Sequence, residues 1–150
     1  MSNIVHCKTH DGRPISYIDQ IIGSGAMKDV YFSPDKSYVV CFFNKQKNKF
    51  YENQNDYQEQ KRRLLEIVTT KHDSIMNGLG GKYWEKAFCW PNALVEHNNL
   101  LGIVVPAYSK DVFFEFGSIN NDQLLKIKGK EKEGRWFASA SNQNRFLDER

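Results

Sequence analysis

The stretch GSGAMKDVYFSPDKSYVVCFF, Gly23–Phe43, decides how this chain is read. KDVYFS and YVVCFF are short runs rich in β-branched and aromatic residues, the composition of half-buried strands. Between them SPDKS, Ser33–Ser37, is a turn sequence. Upstream, PISYIDQII (Pro14–Ile22) alternates loosely and stops at Gly23, which predicts one more strand. Three strands in sequence with short connections make an antiparallel meander.

Working outward, residues from about Asn55 to His72 place Tyr57, Lys61, Leu64, Leu65 and Val68 at three-and-four spacing, which predicts a helix. NGLGG (Asn77–Gly81) ends that region, and YWEKAFCWP predicts a short helix or turn. ALVEHNNLLGIVVPAY then reads as a hairpin: Ala93–Val95, a turn at EHNN, and Leu100–Val105 before Pro106. Past Pro106 the pattern weakens. KDVFFEFGS can be extended, and NNDQLLKIK and WFASASNQNRFLDER can be helical. The order is three strands, a helix, two strands and a mostly helical tail. That is an α+β chain with a five-stranded antiparallel sheet and one main helix.

Size and composition agree with an ordinary globular domain. The chain has 150 residues, enough for one core, and is 40% hydrophobic and 26% charged. A net charge of +3 is too small to argue for nucleic acid, and no aromatic–basic alternation supports it. No apolar run reaches spanning length and the first residues are polar, so neither a transmembrane helix nor a signal peptide is expected. Cys7, Cys41 and Cys89 are odd in number and far apart. They predict reduced thiols, hence a cytoplasmic protein, with Cys89 buried and unreactive. His6, His10, His72 and His97 lack metal-ligand spacing, so no metal site is expected and each is read as a surface residue. Trp84, Trp90 and Trp136 are expected in packing.

The glycines carry the chemistry. Gly-x-Gly between two antiparallel strands lets a ligand approach the backbone without a Cβ in the way, and backbone N–H groups can then face phosphate oxygens. The same residues also simply make turns. Nucleotide loops that lead from a strand into a helix do not fit, because here the glycines lead into a strand. The protein-kinase loop G-x-G-x-x-G-x-V does sit between strands, and Gly23, Gly25 and Val30 match three of its four fixed positions. Lys28 takes the place of the third glycine.

On the loop GSGAMKDVY, the strand YVVCFF, the helix and the hairpin LLGIVVPAY, the chain resembles the N-terminal lobe of a protein kinase. Residues 23 to about 118, with the tail IKGKEKEGRWFASASNQNRFLDER, resemble bacterial kinase-like proteins encoded near stress or tellurite-resistance functions. The resemblance implies ATP as ligand. It lays Val40, Cys41, Phe42 and Phe43 on Val-Ala-Ile-Lys, so that Cys41 lies over the adenine and Phe43 replaces the phosphate-binding lysine. The with-no-lysine kinases also carry a lysine at the third-glycine position and a cysteine on the third strand. By that likeness Lys28 is the phosphate-contacting cation; the alternative is a solvent-facing strand lysine. Its helix partner would be Glu66, or second Glu59; the alternative is that both are solvated. Gly23, Ser24, Gly25, Val30 and Cys41 would line the nucleotide, with hinge contacts at Val105, Ala107 and Tyr108, Pro106 having no N–H to give.

The resemblance implies three segments: an N-terminal extension (1–13), a kinase N-lobe-like domain (14–108), and a post-hinge segment (109–150) that begins a missing C-lobe. His-Arg-Asp and Asp-Phe-Gly strings do not occur, so the catalytic base and the magnesium ligands would lie outside these residues and the 150 residues alone are expected to be inactive. The chain would be a fragment of a Ser/Thr kinase or pseudokinase, or a shortened natural product. The second expectation is a non-catalytic binding module that docks a C-lobe, a protein partner or a second copy through the exposed lobe face, without nucleotide. A third is an unrelated α+β adaptor in which the glycines only turn.

Overall fold

The structure, a computed structural model, describes residues 3–115 and 128–130. The chain divides after Ala107 into two compact units. The first holds seven strands: β1 (Ile4–Lys8), β2 (Pro14–Ile18), β3 (Ile21–Ser24), β4 (Lys28–Phe32), β5 (Tyr38–Phe43), β6 (Ala93–His97) and β7 (Leu100–Pro106). Strands β3 to β7 form a five-stranded antiparallel sheet in the order β3-β4-β5-β7-β6, and β1 pairs with β2 in a separate hairpin. The main helix, α1 (Gln54–Glu66), lies in sequence between β5 and β6. It runs on through a π-helical turn at Ile67–Lys71 into α2 (His72–Met76), and α3 (Gly81–Ala87) follows. The α+β class, the five-stranded sheet and the single main helix are as the sequence predicts.

Local chemistry explains the elements. Asn53 caps α1 by accepting a hydrogen bond from the Asn55 N–H at 2.7 Å. The turn between β6 and β7 is tighter than EHNN: it is Asn98–Asn99 alone, at φ 50° and 59°, the left-handed pair that a two-residue hairpin requires and that asparagine tolerates. Pro14–Ile22 is two strands rather than one. It breaks at Asp19–Gln20, so that β2 leaves the sheet and β3 enters it.

That break sets up two cores. Strand parity sends Val39, Cys41 and Phe43 to one face of the sheet and Val40 and Phe42 to the other. The first, inner face meets Leu64 and Val68 of the helical segment, with Leu94, Leu101 and Ile103. Phe50, Tyr51 and Tyr57 pack at its edge. Tyr51 Oη donates to the Phe43 carbonyl (2.9 Å) and accepts from the Leu101 N–H (3.0 Å), which ties β5 to β7 there. The polar-looking segment after β5 thus supplies core aromatics. The second, outer face is covered by the β1–β2 hairpin, through Ile15 and Tyr17 with Val5 and Cys7 beside them. Residues 1–13 therefore supply a strand of this unit, and Thr9–His10 also pair with the edge strand β6.

The helix is held to the sheet by Glu96 of β6. Its carboxylate accepts from Tyr57 Oη (2.8 Å) and from Lys61 Nζ. The Lys61 hydrogen bond chiefly holds this carboxyl below its ordinary range, against some burial. A carboxyl whose folded pKa is depressed contributes stability above its unfolded value of about 4.3, and that contribution is lost as pH falls through the lower folded value. Both partners are more than a third exposed, so the expected contribution is below about 1 kcal/mol. Thermal melts at a series of pH values from 7 downward should show Glu96→Gln destabilised at pH 7 and its gap from the native chain narrowing as the pH falls below about 4.3.

In the second unit the described backbone forms a 3₁₀ turn at Lys110–Val112. The Phe114 N–H donates to the Lys130 carbonyl (3.0 Å) and the Gly129 N–H to the Phe114 carbonyl (2.8 Å). The expected tail helices and Trp136 lie outside the described residues. Among the described residues no helix is long and apolar enough to cross a membrane.

Candidate functional site

Register places the glycine turn and its neighbours. Gly23 lies opposite Val30, Val30 opposite Cys41, and Lys28 opposite Phe43. Val39 lies opposite Val105. Period-two alternation therefore puts Lys28, Val30, Cys41, Phe43 and Val105 on the inner face. Val30 and Val105 are half-buried there, beside the buried Cys41. The Lys28 ammonium sits over the Phe43 ring, 5.5 Å from its centroid, a cation–π contact. Burial pushes the Cys41 thiol up, and the Lys28 charge partly opposes that. The lysine is thus on the helix-facing side, against Phe43.

Neither glycine of the turn is required by the chain itself. Gly23 and Gly25 avoid the left-handed region. A Cβ on Gly23 would meet nothing within 4 Å, and one on Gly25 would meet only the Lys28 carbonyl at 3.9 Å. The protein's own backbone and packing would accept alanine at both, so the turn alone does not account for them.

A brace that sequence reasoning missed grips the turn. Ser24 and Asp29 are opposite each other on the outer face. Asp29 accepts from Ser24 Oγ (2.6 Å) and Asn44 Nδ2 (2.7 Å), and these two hydrogen bonds lower its carboxyl pKa. Lys47 Nζ donates to Ser24 Oγ (2.9 Å) and the Gly25 carbonyl (3.0 Å). Buried Asn48 donates from Nδ2 to the carbonyls of Met27 and Asn44, each at 2.7 Å. Asn44, Lys47 and Asn48 reach Asp29, Ser24, Gly25 and Met27 across 15 to 23 positions, and no periodicity signals them.

The structure does not join the other expected residues to this face. Glu66, the expected partner of Lys28, pairs instead with Arg62 (3.7 Å) and Lys71 (3.6 Å). Glu59 pairs with Arg62 (2.9 Å) and Arg63 (2.8 Å), which hold its carboxyl down at about 2. All these helix groups are largely exposed, and basic residues three to five positions away capture each glutamate. The Ala107 N–H donates to the Ser37 carbonyl (3.1 Å), so that hinge donor is already used. Tyr108 is exposed and belongs to the second unit. Elsewhere, Trp84 is 39% exposed and packs against the rings of Tyr83 (5.0 Å) and Phe88 (5.5 Å), while Trp90 is half-buried and donates from Nε1 to the Ile67 carbonyl (3.2 Å). Cys89 is half-buried, and burial raises its thiol pKa. Among the described residues no cluster of His, Cys, Asp and Glu could hold a metal ion. No protein-family model, no curated protein and no solved structure matches the chain.

Proposed function

We propose that this chain is the ATP-binding lobe of a Ser/Thr-kinase-like protein from a bacterium, with Lys28 as its phosphate-contacting cation. The observation that carries the reading is the open backbone over Gly23 and Gly25, two glycines that the fold does not need, with Gly23 on the same sheet face as Lys28 and Gly25 beside the Lys28 backbone. A phosphate approaching closely would need that space. Val30, Cys41 and Val105 offer an apolar shelf next to it for a purine. The order of strands around one inserted helix supports the same reading. Phosphoryl transfer would require a catalytic base and magnesium ligands from outside this lobe.

The test is a thermal melt with millimolar Mg-ATP. A ligand present at 100 times its Kd raises stability by about 2.7 kcal/mol. The native chain should shift, and Lys28→Ala should lose most of the shift. Gly23→Ala/Gly25→Ala should melt at or slightly above the native temperature without ATP, since alanine restricts the unfolded chain, yet lose the shift. If the native chain does not shift, or if the double variant is destabilised and still shifts, the reading fails.

Two observations favour the second reading, an N-lobe-shaped module that docks a protein without nucleotide. Glu66 and the Ala107 N–H, both wanted by a nucleotide site, are already engaged within the unit. An unshifted melt would select that reading.

A further inference from the structure

A cleft elsewhere in the unit shares no residue with the glycine turn. It has a volume of about 380 Å³ and opens between the end of β1, helix α1 and strand β6. Its apolar wall is Leu65, 38% exposed on the helix, with buried Leu94 beside it. Its polar lining is Lys8, Thr9, His10, Lys61 and Glu96, the Thr9 hydroxyl being bonded to Asp11 and the Arg13 carbonyl.

The polar groups are not equivalent. Both Glu96 oxygens are committed, one to Tyr57 and the other to Lys61. Lys61 has three N–H donors and spends one on that bond. Lys8 is exposed and makes no ion pair among the described residues. His10 is anchored twice: its backbone N–H donates to the Leu94 carbonyl (2.8 Å), and its Nδ1 accepts from the Leu94 N–H (3.2 Å). An Nδ1 that accepts leaves the ring proton of neutral histidine on Nε2. With Lys8 and Lys61 against Glu96, the cleft carries net positive charge beside an apolar wall, and each oxygen of its one carboxylate is engaged, by Tyr57 and by Lys61. That chemistry complements a carboxylate attached to an apolar chain.

We propose that this cleft docks an acidic–apolar peptide segment of a partner protein, with a carboxylate held between Lys8 and His10 and the neighbouring aliphatic side chain on Leu65. The volume is at the small end of ligand sites, enough for two or three side chains.

Fluorescence anisotropy of a labelled Leu-Glu-Leu-Glu-Leu peptide, titrated with the full chain at low salt, tests it. Saturable binding is expected, weakened about tenfold by Lys8→Glu and by Leu65→Asp. Both positions are exposed, and unchanged melting temperatures would establish that the variants fold; Leu65→Ala serves if Leu65→Asp does not. A Leu-Lys-Leu-Lys-Leu peptide should not bind. The proposal is overturned by absence of saturation at about 1 mM, by equal affinity in Lys8→Glu, or by equal binding of the lysine peptide. Equal binding of Ser-Glu-Ser-Glu-Ser would also overturn it, by showing a simple anion contact.

Discussion

Deletion of residues 1–13 is expected to abolish the cooperative thermal transition of the first unit. The deletion removes β1, the hydrogen-bonded partner of β2, along with Val5 and Cys7, which flank the outer core. It also removes the Thr9 and His10 backbone pairing along β6. What remains of the hairpin is one short strand, which is not stable alone. Its two hydroxyl-mediated bonds to the sheet, the Ser16 N–H donating to Tyr38 Oη (3.0 Å) and Tyr38 Oη donating to the Ser16 carbonyl (2.8 Å), cannot hold it. Val40, Phe42, Ala93, Val95 and Val104 would then face water. Burial of a large apolar side chain contributes roughly 1.5–3 kcal/mol, and a domain's net stability is only about 5–15 kcal/mol, so losing several at once exceeds the margin. Tyr17→Ala is the milder probe. Tyr17 packs edge-on against Tyr31 and Phe42, both at 5.3 Å, and its loss should cost about 3–5 kcal/mol. Circular dichroism melts measure both. A native-like melt of the deleted chain would mean that the hairpin is an appendage after all.

Gly102→Val should destabilise the unit by about 3 kcal/mol. Local preference points the other way, because valine in a strand interior is favoured over glycine by up to about 1 kcal/mol. Gly102 lies opposite Phe42 on one side and Val95 on the other. A Cβ there would lie 2.7 Å from Phe42 Cδ1 and 3.0 Å from Val95 Cγ1. The Phe42 ring cannot swing away freely, since Tyr17 and Tyr31 pack on it. Urea unfolding should show a lower midpoint at unchanged slope, with Gly102→Ala intermediate. A stabilised valine variant would show that the ring has room to move.

Much of the candidate site was legible because it depends on strand parity. Once KDVYF and YVVCFF are paired strands, Lys28 and Val30 must share a face, and so must Cys41 and Phe43. The helix partner was not legible. Spacing alone puts Glu59 and Glu66 near one helix face, but it does not say whether that face meets the sheet. Leu64 and Val68 meet it, and the glutamates pair with neighbouring basic residues outside. The clasp of Asn44, Lys47 and Asn48 on the glycine turn was equally hidden, because its partners are remote in sequence.

Alone, then, the chain's residues determined what depends on near neighbours: the strands β4 to β7 around one main helix, the alternation of faces, and a hairpin turn within EHNN. Tertiary structure alone decided which cover each face of the sheet received, whether a glycine was needed for packing or left open, and which charges met. Those outcomes depend on contacts between segments tens of residues apart, where burial and charge pairing outweigh local backbone preference.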